Sequence, residues 1–306
     1  MYHLPVLANT SIEALNLQSN SVVVDATFGG GGHSKLILEA LGNDGKLLGF
    51  DQDEDAAANA IVDDRFTFVK GNFEYIDRFL KLYAVRKVDA ILADLGVSSH
   101  QLDEGERGFS YRFDADLDMR MNQQSGQTAA DVLNQYTQAD LQTMFSRYGE
   151  VRNAKTLSQA IVAQRDQEAY RKISDLMHTL EPLIKGQRLR YLSQVFQALR
   201  IAVNDEMGVL ERFLQNSLKV LKPKGRLVII SYHSLEDRMV KNFLKTGNVA
   251  GEVQRDFYGA IYRPFKIISK KAILPSEAEI NTNPRARSAK MRVGERLAVS
   301  GEEYDW

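Results

Sequence analysis

The sequence predicts an α/β protein with a mainly parallel sheet that is interrupted by a long helical insertion. Two observations lead to this fold class. Over roughly the first hundred residues, short apolar segments rich in β-branched residues alternate with helical patterns, which is typical of a parallel α/β sheet. The alternation then stops for about 130 residues, far more than one crossover connection needs.

Each predicted strand is a short apolar run, and each predicted helix has apolar residues three or four positions apart. In the first part of the chain, strands are predicted at residues 21–26, 46–51, 66–70 and 88–95, and helices at 34–41, 54–62 and 73–82. The next part shows only helical patterns, at 129–133, 138–148, 154–164, 173–183 and 191–203. A strand follows at 224–231, and residues 261–269 and 288–293 are expected to complete the sheet as an antiparallel edge pair.

This pattern divides the chain into three stretches. Residues 1–104 are expected to form the first part of the core, and residues 206–306 its second part with a basic C-terminal segment. Residues 105–205 are expected to form the inserted helical subdomain, placed between two neighbouring strands of one sheet.

Composition restricts the possible chemistry. The chain has 306 residues, 44% of them hydrophobic, which is enough for one large domain or two modest ones. It has no cysteine, which excludes disulfides, thiolate zinc sites and cysteine nucleophiles, and its five histidines show no metal-binding spacing, so no metal site is predicted. No apolar run reaches about 18 residues and no signal peptide is evident, so a cytoplasmic location without membrane association is expected.

The overall charge of the chain is close to zero, so a surface that binds nucleic acid has to be a local basic patch. A net charge of −1 gives the whole protein no field that would attract nucleic acid. Two stretches are basic, at residues 185–190 and 263–292, and the second contains Arg285 and Arg287. Taken alone, each stretch is as readily a solvated face as a binding surface.

Four glycines follow the first predicted strand in the segment DATFGGGGHS, residues 25–34. A glycine-rich turn at the carboxyl end of the first strand lies where ligands bind open α/β sheets, because glycine permits positive φ and close backbone approach. The segment has no Lys-Ser/Thr, so it is no phosphate-binding P-loop. The last glycine of a dinucleotide fingerprint is replaced by Ser34, which counts against NAD without excluding it.

An acidic residue ends the second predicted strand, about twenty residues beyond the glycines. Asp51 at that point is able to accept hydrogen bonds from both hydroxyls of a ribose. An adenosine ligand without a diphosphate fits both features, and S-adenosylmethionine meets that description. Strand-end acids are often helix N-caps instead, and Asp53 is such a candidate. Spacing alone therefore favours a methyltransferase over a dehydrogenase and leaves other functions open.

Two more strand ends carry polar side chains toward the same edge of the sheet. Asp94 ends the fourth predicted strand, and His233 follows the strand at 224–231. His33, after the glycines, is also expected near this edge. A single histidine in a loop is more often a structural hydrogen-bonding residue than a catalyst, so the spacing leaves both roles open for each histidine.

Nine segments, in this order along the chain, resemble a known family. They are HLPVL (3–7), DATFGGGGHS (25–34), GFDQD (49–53), DLGVSSHQLD (94–103), RGFSY (107–111), LDMRMN (117–122), FQALRIAVNDEM (196–207), SYHSLEDR (231–238) and NPRARSAKMR (283–292). Together they resemble the small-subunit ribosomal RNA cytosine-N4 methyltransferases, also called MraW or RsmH. The similarity extends from His3 to about Arg296.

The resemblance implies a Rossmann-like class I S-adenosylmethionine-dependent methyltransferase sheet with an inserted all-helical subdomain for RNA recognition. It implies S-adenosyl-L-methionine as cofactor and, as substrate, N4 of one cytidine in the decoding region of 16S rRNA within the small ribosomal subunit. Whether the protein is a monomer or a homodimer stays open. Carried over residue by residue, the implied cofactor-binding residues are Gly31, Gly32, His33, Asp51, Phe73, Asp94 and Gln101.

The chain departs from the family pattern at three places. Asn9 stands where a Glu is usual, residues 114–117 read DADL, and residues 191–195 lack a basic and a histidine position. These departures spare the cofactor site. They leave the RNA contacts of the insertion without a detailed carry-over.

Catalysis at a cytosine N4 amine needs a hydrogen-bond acceptor, because the amine lone pair is delocalised into the ring. Asp94 is the first candidate for this acceptor and His233 the second, as acceptor or proton relay; the alternative for Asp94 is a role toward the cofactor alone. A dehydrogenase and a non-catalytic ribosome-assembly factor are the competing functions, and the presence of all seven family positions disfavours the latter. Candidates to stack on the unstacked base are Phe109, Tyr111, Arg120 and Tyr232, for which ordinary packing is an equal alternative.

Overall fold

The structure is a computed structural model and describes residues 5–98, 101, 105–255 and 257–298. The chain forms two compact units. One unit combines Met1–Gly96 with Gly208–Trp306, and the other is Val97–Met207. The second unit therefore begins earlier than the predicted boundary between residues 104 and 105, where residues 102–104 lie outside the described part.

A seven-stranded sheet forms the centre of the first unit. Its strands in chain order are β1 Val22–Asp25, β2 Lys46–Asp51, β3 Phe66–Lys70, β4 Val88–Asp94, β5 Leu221–Ser231, β6 Phe265–Ile267 and β7 Lys290–Arg296. Their order across the sheet is β3-β2-β1-β4-β5-β7-β6. The first five are parallel, whereas β7 pairs antiparallel with both β5 and β6, so the expected antiparallel edge pair is confirmed.

The α-helices alternate with these strands outside the long connection between β4 and β5. Those whose bounds lie within the described residues are, in chain order, α1 Ala8–Leu15, α2 Gly32–Ala40, α3 Ile76–Leu82, α4 Ala129–Gln135, α5 Gln138–Gly149, α6 Ala154–Arg165, α7 Ile173–Leu180, α8 Arg188–Val203, α9 Glu206–Val220, α10 Ser234–Thr246 and α11 Glu277–Thr282. The helix predicted at residues 54–62 is wrong: only a 3-10 turn, Glu54–Asn59, forms there. Its apolar side chains are mostly alanines, so little surface is available to hold a longer helix against the sheet.

The strand register brings several chain segments to one edge of the sheet. Asp25 lies opposite Gly49 of β2, and Asp94 lies opposite Ile230 of β5. Beyond the strands, the Leu95 N–H donates to the Ile230 carbonyl at 2.9 Å. The carboxyl ends of β1, β2, β4 and β5 thus meet at this edge, which is where open parallel sheets bind ligands.

Apolar side chains bury both faces of this sheet. Fully buried residues occur along β1, β2 and β4 as nearly continuous runs, as expected of strands covered on both faces. On one face, Leu15 of α1 and Ile37 of α2 belong to the same apolar cluster as Val23 and Leu92. Helices α1 and α2 therefore cover the strands whose ends carry the polar residues described below.

The second unit has its own apolar core. Helices α5, α6 and α8 contribute fully buried residues to one apolar cluster, for example Phe145, Leu157 and Leu199 respectively. Two of its helices begin at strong caps, since the side chains of Thr128 and Thr137 accept hydrogen bonds from backbone N–H groups in the first turns of α4 and α5. Within residues 105–207 no strand forms, and one isolated bridge joins Asp116 and Lys172. In the described part of the chain, no helix has the length and apolar character needed to cross a membrane.

Candidate functional site

The glycine segment forms a tight loop between β1 and α2. Gly29 and Gly31 have φ values of 51° and 74°, in the left-handed region that favours glycine. The Gly31 N–H donates to the Phe28 carbonyl, and Gly31 is the N-cap residue of α2. A Cβ on Gly31 would lie 3.0 Å from the Phe28 ring, whereas a Cβ on Gly30 would meet nothing within 4 Å. The loop is therefore closed on the side of Gly31 and open at Gly30.

Asp51, at the end of β2, holds this loop. Its Oδ2 accepts a hydrogen bond from the Gly29 N–H and its Oδ1 one from the Asp53 N–H, both at 2.8 Å. Burial raises the pKa of Asp51 to about 6, against the effect of these hydrogen bonds. Each carboxylate oxygen has two lone pairs, so both oxygens keep a further acceptor position. Asp53, in contrast, caps the Glu54–Asn59 turn, so the capping alternative applies to Asp53 and not to Asp51.

A second buried carboxylate, Asp25, ties the loop to α2. Its Oδ2 accepts from the Ser34 hydroxyl at 2.7 Å and its Oδ1 from the Thr27 N–H at 3.2 Å. Burial raises the pKa of Asp25. Ser34, the residue that departs from the dinucleotide fingerprint, thus has a specific hydrogen-bonding role. The Thr27 hydroxyl in turn accepts from the Asp94 N–H at 2.7 Å, which links this loop to the end of β4.

The two carboxylate oxygens of Asp94 have different neighbours, a tyrosine hydroxyl and a histidine ring. Its Oδ1 accepts a hydrogen bond from the Tyr232 hydroxyl at 2.8 Å, and its Oδ2 lies 3.9 Å from His33 Nδ1. Burial raises the pKa of Asp94 to about 6, while His33 and the Tyr232 hydrogen bond act in the opposite direction. Burial together with the neighbouring Asp94 carboxylate also raises the pKa of the Tyr232 phenol, which stays protonated as a donor.

His33 is buried at the first turn of α2, with 6% of its surface exposed. Its Nε2 lies 3.0 Å from the Val6 carbonyl oxygen, so the segment before α1 contacts the ring directly. The structure therefore joins His33 and Asp94, which the sequence placed only at the same sheet edge.

His233 has a structural contact of its own. It is the N-cap of α10, where its Nδ1 accepts from the Glu236 N–H at 3.4 Å, and the buried Glu236 carboxylate accepts from the Tyr232 and His233 N–H groups. The His233 Nε2 lies 3.1 Å from Glu236 Oε1, outside hydrogen-bond geometry. His233 therefore has the structural hydrogen-bonding role that was the alternative to catalysis for a histidine in a loop.

The two remaining predicted residues lie in different units. Phe73, in the first unit, packs edge-to-face against Phe213 of α9 with ring centroids 4.9 Å apart. Gln101 belongs to the second unit, where its side-chain oxygen accepts from the Ser98 N–H and its own N–H donates to the Ser98 hydroxyl, each at 3.1 Å. Gln101 is buried.

The sequence did not predict three groups that contact the site residues. Tyr232 is predicted only as a base-stacking residue, and no role is predicted for Asp25 or for the Val6 carbonyl. Asp25 had a usable signal, because it ends β1 as Asp51 ends β2 and Asp94 ends β4. A backbone carbonyl such as that of Val6 carries no signal in the identity of its side chain.

The charge of the site fits a cationic ligand with hydroxyl groups. Asp25, Asp51 and Asp94 are held close enough that the charge on Asp25 opposes ionisation of the other two. His33 is the basic side chain whose charge, when the ring is protonated, lowers the pKa of Asp25 and of Asp94. A sulfonium compound with a ribose matches this set of carboxylates, because carboxylates accept hydrogen bonds from ribose hydroxyls and attract positive charge. The glycine loop, Asp51 and Asp94 would hold it, whereas Phe73 stays a candidate on the family resemblance alone.

Comparison with known proteins agrees with this chemistry. The sequence model of the MraW methylase family matches residues 1–297. Proteins named ribosomal RNA small subunit methyltransferase H are similar along nearly their whole length: 52% identity to that of Bacteroides thetaiotaomicron, covering 96% of this chain and 97% of that protein, and 51% to that of Flavobacterium johnsoniae, covering 97% and 98%. A solved rRNA methylase structure from Streptococcus thermophilus is far more distant, at 14% identity and a TM-score of 0.41 over 97% of this chain and 100% of that one.

These findings confirm the predicted fold class and cofactor. The observed parallel sheet with its antiparallel β7 and its helical insertion is the expected class I methyltransferase architecture, and S-adenosyl-L-methionine is the methyl donor. The chain belongs to the MraW methylase family.

Proposed function

We propose that the protein methylates small-subunit ribosomal RNA, and specifically N4 of one cytidine in the decoding region of 16S rRNA. The relatives named above support the RNA substrate. One observation in the site carries the specific reaction: the half-buried Asp94 presents a carboxylate oxygen, Oδ2, whose partner oxygen is already occupied by Tyr232. An acceptor of this kind is what an exocyclic amine needs before it is able to attack a methyl group.

The reaction forms one C–N bond, breaks the bond between the methyl carbon and the sulfonium sulfur, and releases one proton. S-adenosylmethionine supplies an electrophilic methyl group on a sulfonium. The N4 amine is a weak nucleophile, so the protein must hold it in line with that methyl group, a positioning that supplies on the order of 7–11 kcal/mol. Asp94 Oδ2 accepts one N4–H, which localises the nitrogen lone pair and stabilises the positive charge that develops on N4. The N4 proton then passes to Asp94 as the C–N bond is completed.

The fixed neighbours of Asp94 keep this acceptor oriented. Tyr232 occupies Oδ1, and the backbone N–H of Asp94 is bonded to Thr27, so the carboxylate rotates little. The raised pKa of Asp94 makes it a stronger base than a solvated carboxylate while leaving it largely ionised at neutral pH. We therefore assign the acceptor role to Asp94, and His233 to the capping of α10 next to Tyr232.

The candidates for base stacking differ in availability. Phe109 is buried in the core of the second unit, and Tyr111 packs edge-to-face on Phe196 at 5.4 Å while remaining half-buried. Arg120 is held by the Asp118 carboxylate. Tyr111 is the best placed of these three to offer a ring face within the inserted helical unit, to which we assign RNA recognition.

The basic C-terminal segment is the proposed phosphate contact. Arg292 is committed to Asp237, with contacts of 2.6 and 3.1 Å, and Arg285 is half-buried. Arg287 and Lys271 are exposed. Charge reversal of these two residues should weaken RNA binding and reduce its dependence on salt concentration, without changing cofactor affinity. An unchanged salt dependence would assign phosphate binding elsewhere.

The decisive experiment identifies the modified nucleoside. The purified protein and S-adenosylmethionine are incubated with small ribosomal subunits that lack N4-methylcytidine, and the digested RNA is examined by mass spectrometry. We expect N4-methylcytidine at a single position, and its loss with Asp94→Asn, while Asp63→Asn serves as a control at a half-buried carboxylate that pairs with Arg65 outside the candidate site. Methylation of any other nucleoside or atom would refute the proposed specificity.

A further inference from the structure

The environment of His33 determines which of its ring nitrogens is able to accept a proton. A carbonyl oxygen only accepts hydrogen bonds, so the His33 Nε2 that lies 3.0 Å from the Val6 carbonyl must carry a hydrogen and donate it. In the neutral ring, Nδ1 then has a free lone pair. This Nδ1 is the atom 3.9 Å from Asp94 Oδ2, the oxygen that Tyr232 leaves open.

We propose that His33 is the proton relay for Asp94: the proton that Asp94 takes from the substrate amine passes on to His33 Nδ1. This inference rests on the proposed function. An N4–H bond breaks as the Asp94 Oδ2–H bond forms, and that bond breaks in turn as the Nδ1–H bond forms. The positive charge that leaves the sulfonium thus ends on an imidazolium whose Nε2–H still donates to Val6. Asp94 is returned to the ionised state needed for the next turnover.

The groups around the pair favour this transfer. Facing Asp94 are the Asp25 carboxylate from β1, the Glu236 carboxylate from α10, the Tyr232 hydroxyl after β5 and His33 from α2. The Asp25 and Glu236 carboxylates repel an ionised Asp94 and attract an imidazolium, and the charges of Asp25 and His33 act on one another electrostatically. The distance of 3.9 Å exceeds a hydrogen bond by about 1 Å, and catalytic contacts of this kind commonly tighten when substrate binds.

Residues 5–7 contact Glu279 of α11, and we call this contact the strap. The strap fixes the position of His33. The Leu7 N–H donates to Glu279 Oε1 at 2.6 Å, and a Cβ on Gly32 would lie 3.3 Å from Pro5, so the strap packs directly on the start of α2. The Val6 carbonyl and the Leu7 N–H belong to one trans peptide group and point in opposite directions, so this group contacts His33 on one side and Glu279 on the other. Glu279 therefore holds the peptide group whose carbonyl oxygen contacts His33.

The sequence pattern indicated His233 as a candidate for the proton relay, and the structure favours His33 instead. The Nδ1 of His233 accepts from a backbone N–H at the start of α10, so this nitrogen is not available for a proton. His33 Nδ1 has no such donor and faces a carboxylate.

The test compares the wild type with His33→Gln and His33→Ala. Glutamine keeps an N–H able to reach the Val6 carbonyl but accepts no proton, and alanine leaves space for a free imidazole. With saturating S-adenosylmethionine, we expect both variants to form N4-methylcytidine about 10²-fold more slowly near neutral pH, the lower end of the usual effect of proton-transfer groups. Added imidazole should restore the rate of His33→Ala but not that of Asp94→Asn. Calorimetry checks that the cofactor still binds each variant.

The outcomes separate the relay from the proposed function. N4-methylcytidine from the wild type, together with wild-type rates and pH profile for His33→Gln, would overturn the relay alone. A wild-type product other than N4-methylcytidine would overturn both. A second measurement needs no variant: the ¹⁵N shifts of His33 in the wild-type protein should show a neutral ring protonated at Nε2. A ring protonated at Nδ1 would overturn the relay as well.

Discussion

Cofactor affinity should depend on pH through two carboxyl groups. Asp51 and Asp94 each have a pKa raised to about 6 in the cofactor-free protein, because they are buried. The proposed binding mode needs both in the ionised form, Asp51 as an acceptor for ribose hydroxyls and Asp94 as a counter-charge to the sulfonium. Binding should therefore weaken as the pH falls through the pKa of the two groups.

The size of the effect follows from the fraction ionised. A group with a pKa of about 6 is about one-tenth ionised at about pH 5, which weakens binding about tenfold, or about 1.4 kcal/mol. Two such groups give about a hundredfold between about pH 7.5 and about pH 5. Near pH 6, where each group is half protonated, binding should release about one proton in total.

Isothermal titration calorimetry in buffers of different ionisation enthalpy measures both quantities. Asp51→Asn should remove one of the two contributions and so flatten the dependence. Asp63→Asn is the matched control, because Asp63 lies outside the candidate site and its partner Arg65 holds its pKa at about 2, outside the range tested. An affinity that stays constant across this range, or binding without proton release, would refute the assignment of a buried carboxylate cluster to the cofactor.

Other consequences of the structure are open to direct measurement. Gly30→Ala should fold as stably as the wild type yet bind the cofactor more weakly, because its Cβ enters open space at the loop; unchanged affinity by calorimetry would show that the ligand leaves that space free. Gly31→Ala should lower the free energy of unfolding by about 1–2 kcal/mol in urea, because it forces a side chain into the left-handed region; unchanged stability would argue against this loop conformation. Asp94→Asn should raise the melting temperature of the cofactor-free protein near neutral pH, because a carboxyl with a raised pKa stabilises the fold below its unfolded pKa and loses that contribution as the pH rises through about 6. A melting temperature that is lower than that of the wild type, and equally pH-dependent, would contradict that sign.

The strands were predictable because a buried parallel strand needs a continuous apolar run. The predicted ranges 46–51 and 66–70 coincide with β2 and β3, and the predicted range 88–95 extends β4 by one residue. The long gap in the strand pattern correctly indicated an all-helical insertion. The turn at Glu54–Asn59 was overestimated because helical periodicity alone does not show whether a segment has a surface to pack against.

The candidate site was predictable as a set of strand ends and not as a set of contacts. Asp51 and Asp94 follow from the rule that ligands bind at the carboxyl edge of the sheet. The hydrogen bond from Tyr232 to Asp94 joins residues 138 positions apart and depends on the register of β4 and β5. The sequence also could not separate the two roles of histidine, since His233 is an uncommon N-cap residue and the partner of His33 is a backbone carbonyl.

The strap imposes an order of events on synthesis of the protein. The Leu7 N–H and the Glu279 carboxylate that it contacts are 272 positions apart, and β4 must wait for β5 until the whole insertion has been made. Because chains fold from the N-terminus as they emerge, the glycine loop and α2 form early but His33 gains its Val6 contact in final form only when α11 is available. An unfinished chain therefore lacks a completed site. The site is therefore complete only once synthesis of the chain has passed Glu279.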